Sequence, residues 1–219
     1  MDYGETYSII KKAGKKIVTQ LPDAKIGDWK ISHRIATEED VKTQKLKAAM
    51  NGMYGEYAVF EPGNYVILSL NGYTIMSNTD MEIRTNIEVV QKAKGNVLIG
   101  GLGIGLIVLP IMNKKEVKKV TVIEKSKEVI ELVKLHLPFN DKVNIINGDI
   151  NEWCPDNNNK FDVVYFDIWE DVCTDNYEEM KTLMKKFRKY MLKKKEDRWI
   201  DCWRREDTKR LVYEDRFGY

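Results

Sequence analysis

Apolar residues along this chain gather into short runs that end in glycine or an acid. Val97-Leu98-Ile99 breaks into Gly100-Gly101-Leu102-Gly103-Ile104-Gly105 and resumes as Leu106-Ile107-Val108-Leu109. Val120-Thr121-Val122-Ile123 ends in Glu124, Val143-Asn144-Ile145-Ile146 leads to Gly148-Asp149-Ile150, and Phe161 to Phe166 ends in Asp167. Runs this short, rich in β-branched residues and closed by turn residues, predict strands buried on both faces. Helical spacers lie between the first three; Lys127 to Leu137 sets Val129, Leu132, Val133 and Leu137 on one face. Such alternation predicts an α/β fold, a doubly wound Rossmann-like parallel sheet with its ligand crevice at the carboxyl ends of the strands. The helix after the glycines is apolar all round, and Pro110 predicts a kink or early stop in it. Further on, Asp175 to Leu192 reads as a helix, Arg198 to Trp203 as a fifth strand and Asp207 to Asp215 as a helix.

The first ninety residues follow a different pattern. Residues 5 to 19 predict a helix with Ile9, Ile10 and Val18 apolar and a basic face from Lys11, Lys12, Lys15 and Lys16. Trp29 to Ile35 alternates like a strand, and Thr37-Glu38-Glu39-Asp40 reads as an N-cap before a helix to about Met50. Tyr57 to Phe60 is expected to pair with Tyr65 to Leu70 across Glu61-Pro62-Gly63. Asn64 to Met76 predicts a hairpin turning at Asn71-Gly72, followed by a helix within Ser77 to Ala93. The expected organisation is a small α+β region over 1–90, a lid or oligomerisation element, and a nucleotide-binding domain over 91–219.

Candidate chemistry sits at the strand ends. Closely spaced glycines let a ligand approach bare backbone at a strand-to-helix turn. The spacing is G-x-G-x-G, with Leu106 where a dinucleotide fingerprint has its last glycine, which disfavours NAD. Glu124 follows Gly105 by 19 residues, where an acid at the tip of a second strand accepts hydrogen bonds from ribose hydroxyls.

Gly101, Gly103 and Gly105, then Glu124, Gly148-Asp149 and Asp167, resemble the successive motifs of class I S-adenosylmethionine (SAM)-dependent methyltransferases over roughly residues 91 to 205. The resemblance implies SAM as cofactor. The glycine turn would pass under its methionine part, Glu124 with neighbouring Lys125 would hold the ribose side, and Asp149 and the Ile150 backbone would face adenine. Asp167 would sit beside the sulfonium and the acceptor, with Trp169 available to stack on either. Asp167 and Trp169 are therefore the candidate catalytic residues. Ile99-Gly100-Gly101 and the hairpin ahead of it also resemble the spermidine-synthase-like branch. The polyamine-gripping residues of that branch are missing: Gly103 replaces an aspartate, Arg84-Thr85-Asn86 a Tyr-His-Glu cluster, and Asp167-Ile168-Trp169-Glu170 an Asp-Ser-Ser-Asp element.

The chain's 219 residues suffice for one α/β domain with an appendage. The three cysteines lack C-x-x-C spacing and the two histidines are too few for a histidine-based site, so no metal is expected. No apolar run approaches a membrane span, and Met1 to Glu5 open no signal-peptide core, which gives cytoplasm as the expected compartment. Net charge is +2, yet nine of the eighteen residues from Lys181 to Arg198 are basic, with Tyr190, Trp199 and Trp203 interleaved. Such a stretch is a candidate nucleic-acid contact or the solvated face of a helix. The function expected is methyl transfer from SAM to a small-molecule, nucleic-acid or protein acceptor, with a homodimer as the candidate assembly. The alternatives are a non-catalytic nucleoside-binding module and an aminopropyl transferase using decarboxylated SAM. Gly103→Asp is expected to weaken nucleoside binding by crowding the cofactor.

Overall fold

Two sheets carry the chain, one built by alternation and one by continuous apolar runs. A computed structural model describes residues 2–50 (side chains to 46), 61–156, 160–192 and 198–218. The expected Tyr57 to Phe60 strand lies outside these residues.

The first sheet is an antiparallel meander of β1 (Ala24–Ile26), β2 (Trp29–Ala36), β3 (Gly63–Leu70) and β4 (Tyr73–Ser77), in that order. Asn71 and Gly72, at φ 51 and 85, make the two-residue turn whose twist suits a hairpin, and Leu70 pairs with Tyr73 across it. Before the sheet runs a helix of three parts: α1 (Tyr3–Ile9), a π-helical stretch (Ile10–Lys15) and α2 (Lys16–Val18). Asp2 and Glu5 close a reciprocal capping box at its start. Gly14 abuts the turn after the glycine motif, where a Cβ would stand 2.5 Å from the Leu106 carbonyl oxygen. Helix α3 (Glu38–Met50) starts as expected, with Thr37 Oγ1 accepting from the Asp40 amide and Asp40 Oδ2 accepting from the Thr37 amide.

The second sheet is parallel. Its strands β5 (Gly95–Gly100), β6 (Val117–Glu124), β7 (Val143–Asn147), β8 (Val163–Phe166) and β9 (Trp199–Cys202) lie in the order β7-β6-β5-β8-β9. The chain winds one way from β5 and then the other, so the switch point falls between β5 and β8. Val97, Leu98 and Ile99 are wholly buried, each contributing about 1.5–3 kcal/mol of apolar burial, which explains their unbroken apolar run. Around the sheet pack α4 (Asp80–Thr85), α5 (Ile87–Lys92), α6 (Val108–Met112), α7 (Lys127–Lys134), α8 (Asn176–Arg188) and α9 (Arg205–Phe217). One apolar cluster runs from Ile10, Ile31 and Leu68 through Ile83 to Val97, Ile104 and Val122, joining both sheets.

Several boundaries differ from the sequence expectation. The helix expected within Ser77 to Ala93 breaks at Asn86, which is fully buried. Its Nδ2 donates to the Glu82 carbonyl at 3.0 Å and its Oδ1 accepts from the Tyr165 hydroxyl at 2.9 Å. The helix after the glycines is a single short turn around Pro110 and stops at Met112, as proline there requires. Helix α8 ends at Arg188, four residues before Leu192, and the chain there turns to Phe161, whose amide donates to the Tyr190 carbonyl and whose carbonyl accepts from the Leu192 amide.

Candidate functional site

The glycine turn leaves β5 at the switch point and meets the end of β8. The Gly101 amide donates to the Ile123 carbonyl and the Asp167 amide donates to the Gly100 carbonyl, both at 2.8 Å. Gly101 has φ +95, and a Cβ there would overlap the Asp167 carbonyl oxygen. Gly103 has φ +50, and its missing side chain points at the Met76 sulfur of β4. The crowding expected at Gly103 therefore falls first on the hairpin.

Beyond the turn lies a cavity of about 770 Å³, bounded by both sheets. That volume is in the range of small-molecule sites. Gly101, Gly103, Glu124, Lys125, Asp149, Ile150, Asp167 and Trp169 all line it. Gly105 does not; it sits behind the wall, against Leu137 and Phe139.

Glu124 fastens two elements. Its Oε2 accepts from the Leu102 amide and its Oε1 from the Ser126 amide, each at 2.8 Å. Ser126 in turn caps α7 through Val129. A carboxylate has about four lone-pair sites, so these bonds leave acceptor capacity facing the cavity. Asp149 Oδ2 pairs with Lys125 at 2.9 Å and Oδ1 accepts from the Asn151 amide at 2.9 Å. The Lys125 ammonium, with the Asn151 amide second, holds the Asp149 carboxyl below the usual range. Trp169 does two things at once: its ring lines the cavity while its indole N–H donates to Glu179 of α8 at 3.1 Å.

The N-terminal region supplies wall residues that the sequence did not mark. Trp29, Met76, Met81 and Glu82 all face the cavity. Helix α4 is held in place by Asn86 on Tyr165 and by Thr85, whose hydroxyl accepts from the Trp203 indole at 3.1 Å. Thr85 and Asn86, two of the residues standing where the spermidine-synthase-like branch has Tyr-His-Glu, thus fasten α4 to the parallel sheet. Glu82 is 7% exposed, and its one described donor is the Ser77 amide at a long 3.5 Å. Burial, then the nearby Asp167 charge, pushes the Glu82 carboxyl up to about 8, and burial alone pushes Asp167 to about 7.

The sign of that shift gives a stability prediction. Below the ordinary glutamate value of 4.5 both folded and unfolded chains hold the proton. From there to about 8 only the folded chain holds it, so stability falls as pH rises, and above it the full penalty is present. Glu82→Gln removes a penalty of about 2 kcal/mol, allowing for the amide's own unmet bonds. Its melting temperature at about pH 8.5 should exceed that of the native chain by about 4–8 °C and converge with it near about pH 4.5. Scanning calorimetry at both pH values checks this; an equal gap at both would contradict the buried-charge account.

Within the basic stretch Lys181 pairs with Glu178, Lys186 Nζ donates to the Asn151 and Trp153 carbonyls, and Arg198 donates to the Leu192 carbonyl. Beyond it Arg204 and Arg210 pair with Asp207, and Arg205 with Asp201. Lys193 to Lys195 lie outside the described residues. Among the described residues no helix is long and apolar enough to cross a membrane, and no cluster of His, Cys, Asp or Glu is arranged to hold a metal.

No family model and no curated protein matches the chain. Solved structures do. The spermidine synthase of Thermotoga maritima has 19% identity and a TM-score of 0.49, over 68% of this chain and 56% of that one. The plantazolicin methyltransferase BpumL, in complex with a desmethylPZN analog and SAH, has 19% identity and a TM-score of 0.38, over 49% and 41%. The N-methyltransferase NodS of Bradyrhizobium japonicum has 15% identity and a TM-score of 0.41, over 51% and 62%. This chain thus spans about half the length of the proteins it resembles. These neighbours are methyltransferases and a spermidine synthase; the Rossmann-like character of this chain is read from its own parallel strand order, β7-β6-β5-β8-β9.

Proposed function

We propose that the protein binds SAM along the glycine turn and transfers its methyl group to an acceptor beside Trp169. The observation that carries this reading is the convergence, on one cavity at the switch point, of Gly101 and Gly103, Glu124, Asp149 with Ile150, and Asp167. These residues fit the group chemically. The glycine backbone admits a close ligand, Glu124 keeps free lone pairs for a diol, Ile123 and Ile150 offer apolar faces to a base, and Asp149 is an acceptor for an exocyclic amine. When bound, SAM supplies a methyl group on a positively charged sulfur, open to in-line attack by a nucleophile. Asp167 stabilises positive charge at that end, and Trp169 shapes the approach of the acceptor.

The acidity of the cavity favours a second reading. Among its described lining residues the one lysine or arginine is Lys125, already paired with Asp149, so no other side-chain cation faces the carboxylate of a methionine group. A donor lacking that carboxylate, decarboxylated SAM, suits such a wall and would transfer an aminopropyl group.

Calorimetric titration with S-adenosylhomocysteine (SAH), decarboxylated SAM and NAD separates these readings. Binding of SAH at about micromolar Kd, with NAD silent, is the expected result. Preference for decarboxylated SAM would move the assignment to aminopropyl transfer. Silence from every ligand would leave the fold a structural or interaction role.

A further inference from the structure

The turn that follows β7 has more backbone acceptors than its own amides meet. The Glu152 and Trp153 amides both donate to the Asp149 carbonyl, at 3.0 and 2.7 Å, and the Asn151 amide donates to Asp149 Oδ1. The carbonyls of Ile150, Asn151 and Trp153 meet α8 instead. There the Lys186 ammonium donates to Asn151 at 2.6 Å, to Trp153 at 2.8 Å and, more weakly, to Ile150 at 3.4 Å. An ammonium has three donors and no acceptor, so three converging carbonyls use it completely. Among the described residues no carboxylate pairs with Lys186, so backbone dipoles alone meet its charge. The next residue of α8 completes the grip: Phe187 is wholly buried and its ring stacks on Trp153, with centroids 6.2 Å apart.

We propose that Lys186 is a positioning residue of the cofactor site, setting the turn by which the protein tells adenine from other bases. This inference rests on the SAM reading above. Asp149, Ile150 and Asn151 line the cavity, whereas Lys186 does not and acts through them. Asn151 couples the two: its carbonyl takes the shortest Lys186 bond, and its amide holds the Asp149 carboxylate. Lys125 fixes the second oxygen of that carboxylate at 2.9 Å. An acceptor aimed in this way meets the exocyclic amine of adenine and repels the exocyclic oxygen that replaces it in hypoxanthine. Without the ammonium three carbonyls lose their donor, the turn relaxes toward other partners, and the aim of Asp149 goes with it. The loss falls on base discrimination, because Glu124 keeps its own bonds to the Leu102 and Ser126 amides.

The test is calorimetric titration of the full chain with SAH and with S-inosylhomocysteine, which carries hypoxanthine in place of adenine. The native chain should bind SAH at least about tenfold more tightly. Lys186→Met should bring the two within about threefold of each other while keeping its melting transition. Lys181→Met is the control, since Lys181 is exposed on the same helix and pairs with Glu178; it should keep the native preference. A lysine that served stability alone would shift the melting temperature and leave the ratio intact. Lys186→Gln, with two donors and no charge, should fall between and takes the place of Lys186→Met if that variant does not fold.

Amide hydrogen exchange reads the turn without any ligand. In Lys186→Met the Asn151, Glu152 and Trp153 amides should exchange at least about tenfold faster, with those of β5 and β6 unchanged. Equal binding of the two nucleosides by the native chain, full SAH preference in a folded Lys186 variant, or unaltered exchange in the turn would overturn the proposal. Silence of SAH in the native chain, with faster exchange in Lys186→Met, would instead remove the cofactor reading and leave Lys186 a fastener of the turn only.

Discussion

Glu124→Ala is expected to raise the Kd for SAH by at least about a hundredfold, which corresponds to about 2.7 kcal/mol. Two effects combine. The variant loses the acceptor proposed for the ribose hydroxyls. It also frees the Leu102 and Ser126 amides, which the native carboxylate holds at 2.8 Å on either side of the cavity mouth. Hydrogen bonds to a charged group contribute about 1.5–3 kcal/mol each, so the glycine turn and the α7 N-terminus both loosen. Glu124→Gln should fall between, because its one oxygen satisfies one amide and its NH2 group faces the other donor. Calorimetry beside a thermal melt separates the two effects. If Glu124→Ala binds SAH within about threefold of the native chain, Glu124 is a fastener of the turn and the nucleoside lies elsewhere.

Gly101→Ala is the second large effect, and it falls on stability. Its φ of +95 strains any side chain, and the new Cβ would overlap the Asp167 carbonyl, which is backbone and part of β8's exit. Positive φ costs about 1–2 kcal/mol for alanine and overpacking about 1–3 more, so a total near 3 kcal/mol is expected. That is a fall in melting temperature of about 6–12 °C. Gly72→Ala is the internal control. Its φ is +85 with nothing near the added carbon, so it bears the strain without the clash. Equal melting temperatures for the two variants would show that the close approach of Gly101 to Asp167 contributes nothing.

The two variants probe parts of the protein that differ in how far local chain chemistry specifies them. Val97 to Ile99, Val120 to Ile123 and Val163 to Phe166 are strands in the structure because a parallel sheet covered on both faces accepts only such runs. Parallel strands from one switch point also bring their carboxyl ends together, so the glycines, Glu124, Asp149 and Asp167 converge wherever the strands form. The Asn71-Gly72 turn is local in the same sense, since its backbone angles belong to those two residues. Gly105 shows the limit of spacing alone: one more turn of chain carries it behind the wall, against Leu137 and Phe139.

The rest depends on what distant segments bring near. The break at Asn86 follows from Tyr165, which lies 79 residues away, and no local propensity announces it. Met76 above Gly103, Trp29 on the wall and the Lys125–Asp149 pair likewise join separate parts of the chain. Glu82 is the sharpest case. In sequence it is one acid in a short acidic helix, indistinguishable from a solvated one. Its burial and its nearness to Asp167 arise only when α4 is fastened across the end of β8 by Asn86 and Thr85. Local pattern is enough for the parallel strands, the hairpin and the acids at the strand tips, because hydrophobic period and turn chemistry act within a few residues. Which acids lose their water, Glu82 of α4 above all, follows only from the packed fold, because desolvation is set by every group packed around a side chain.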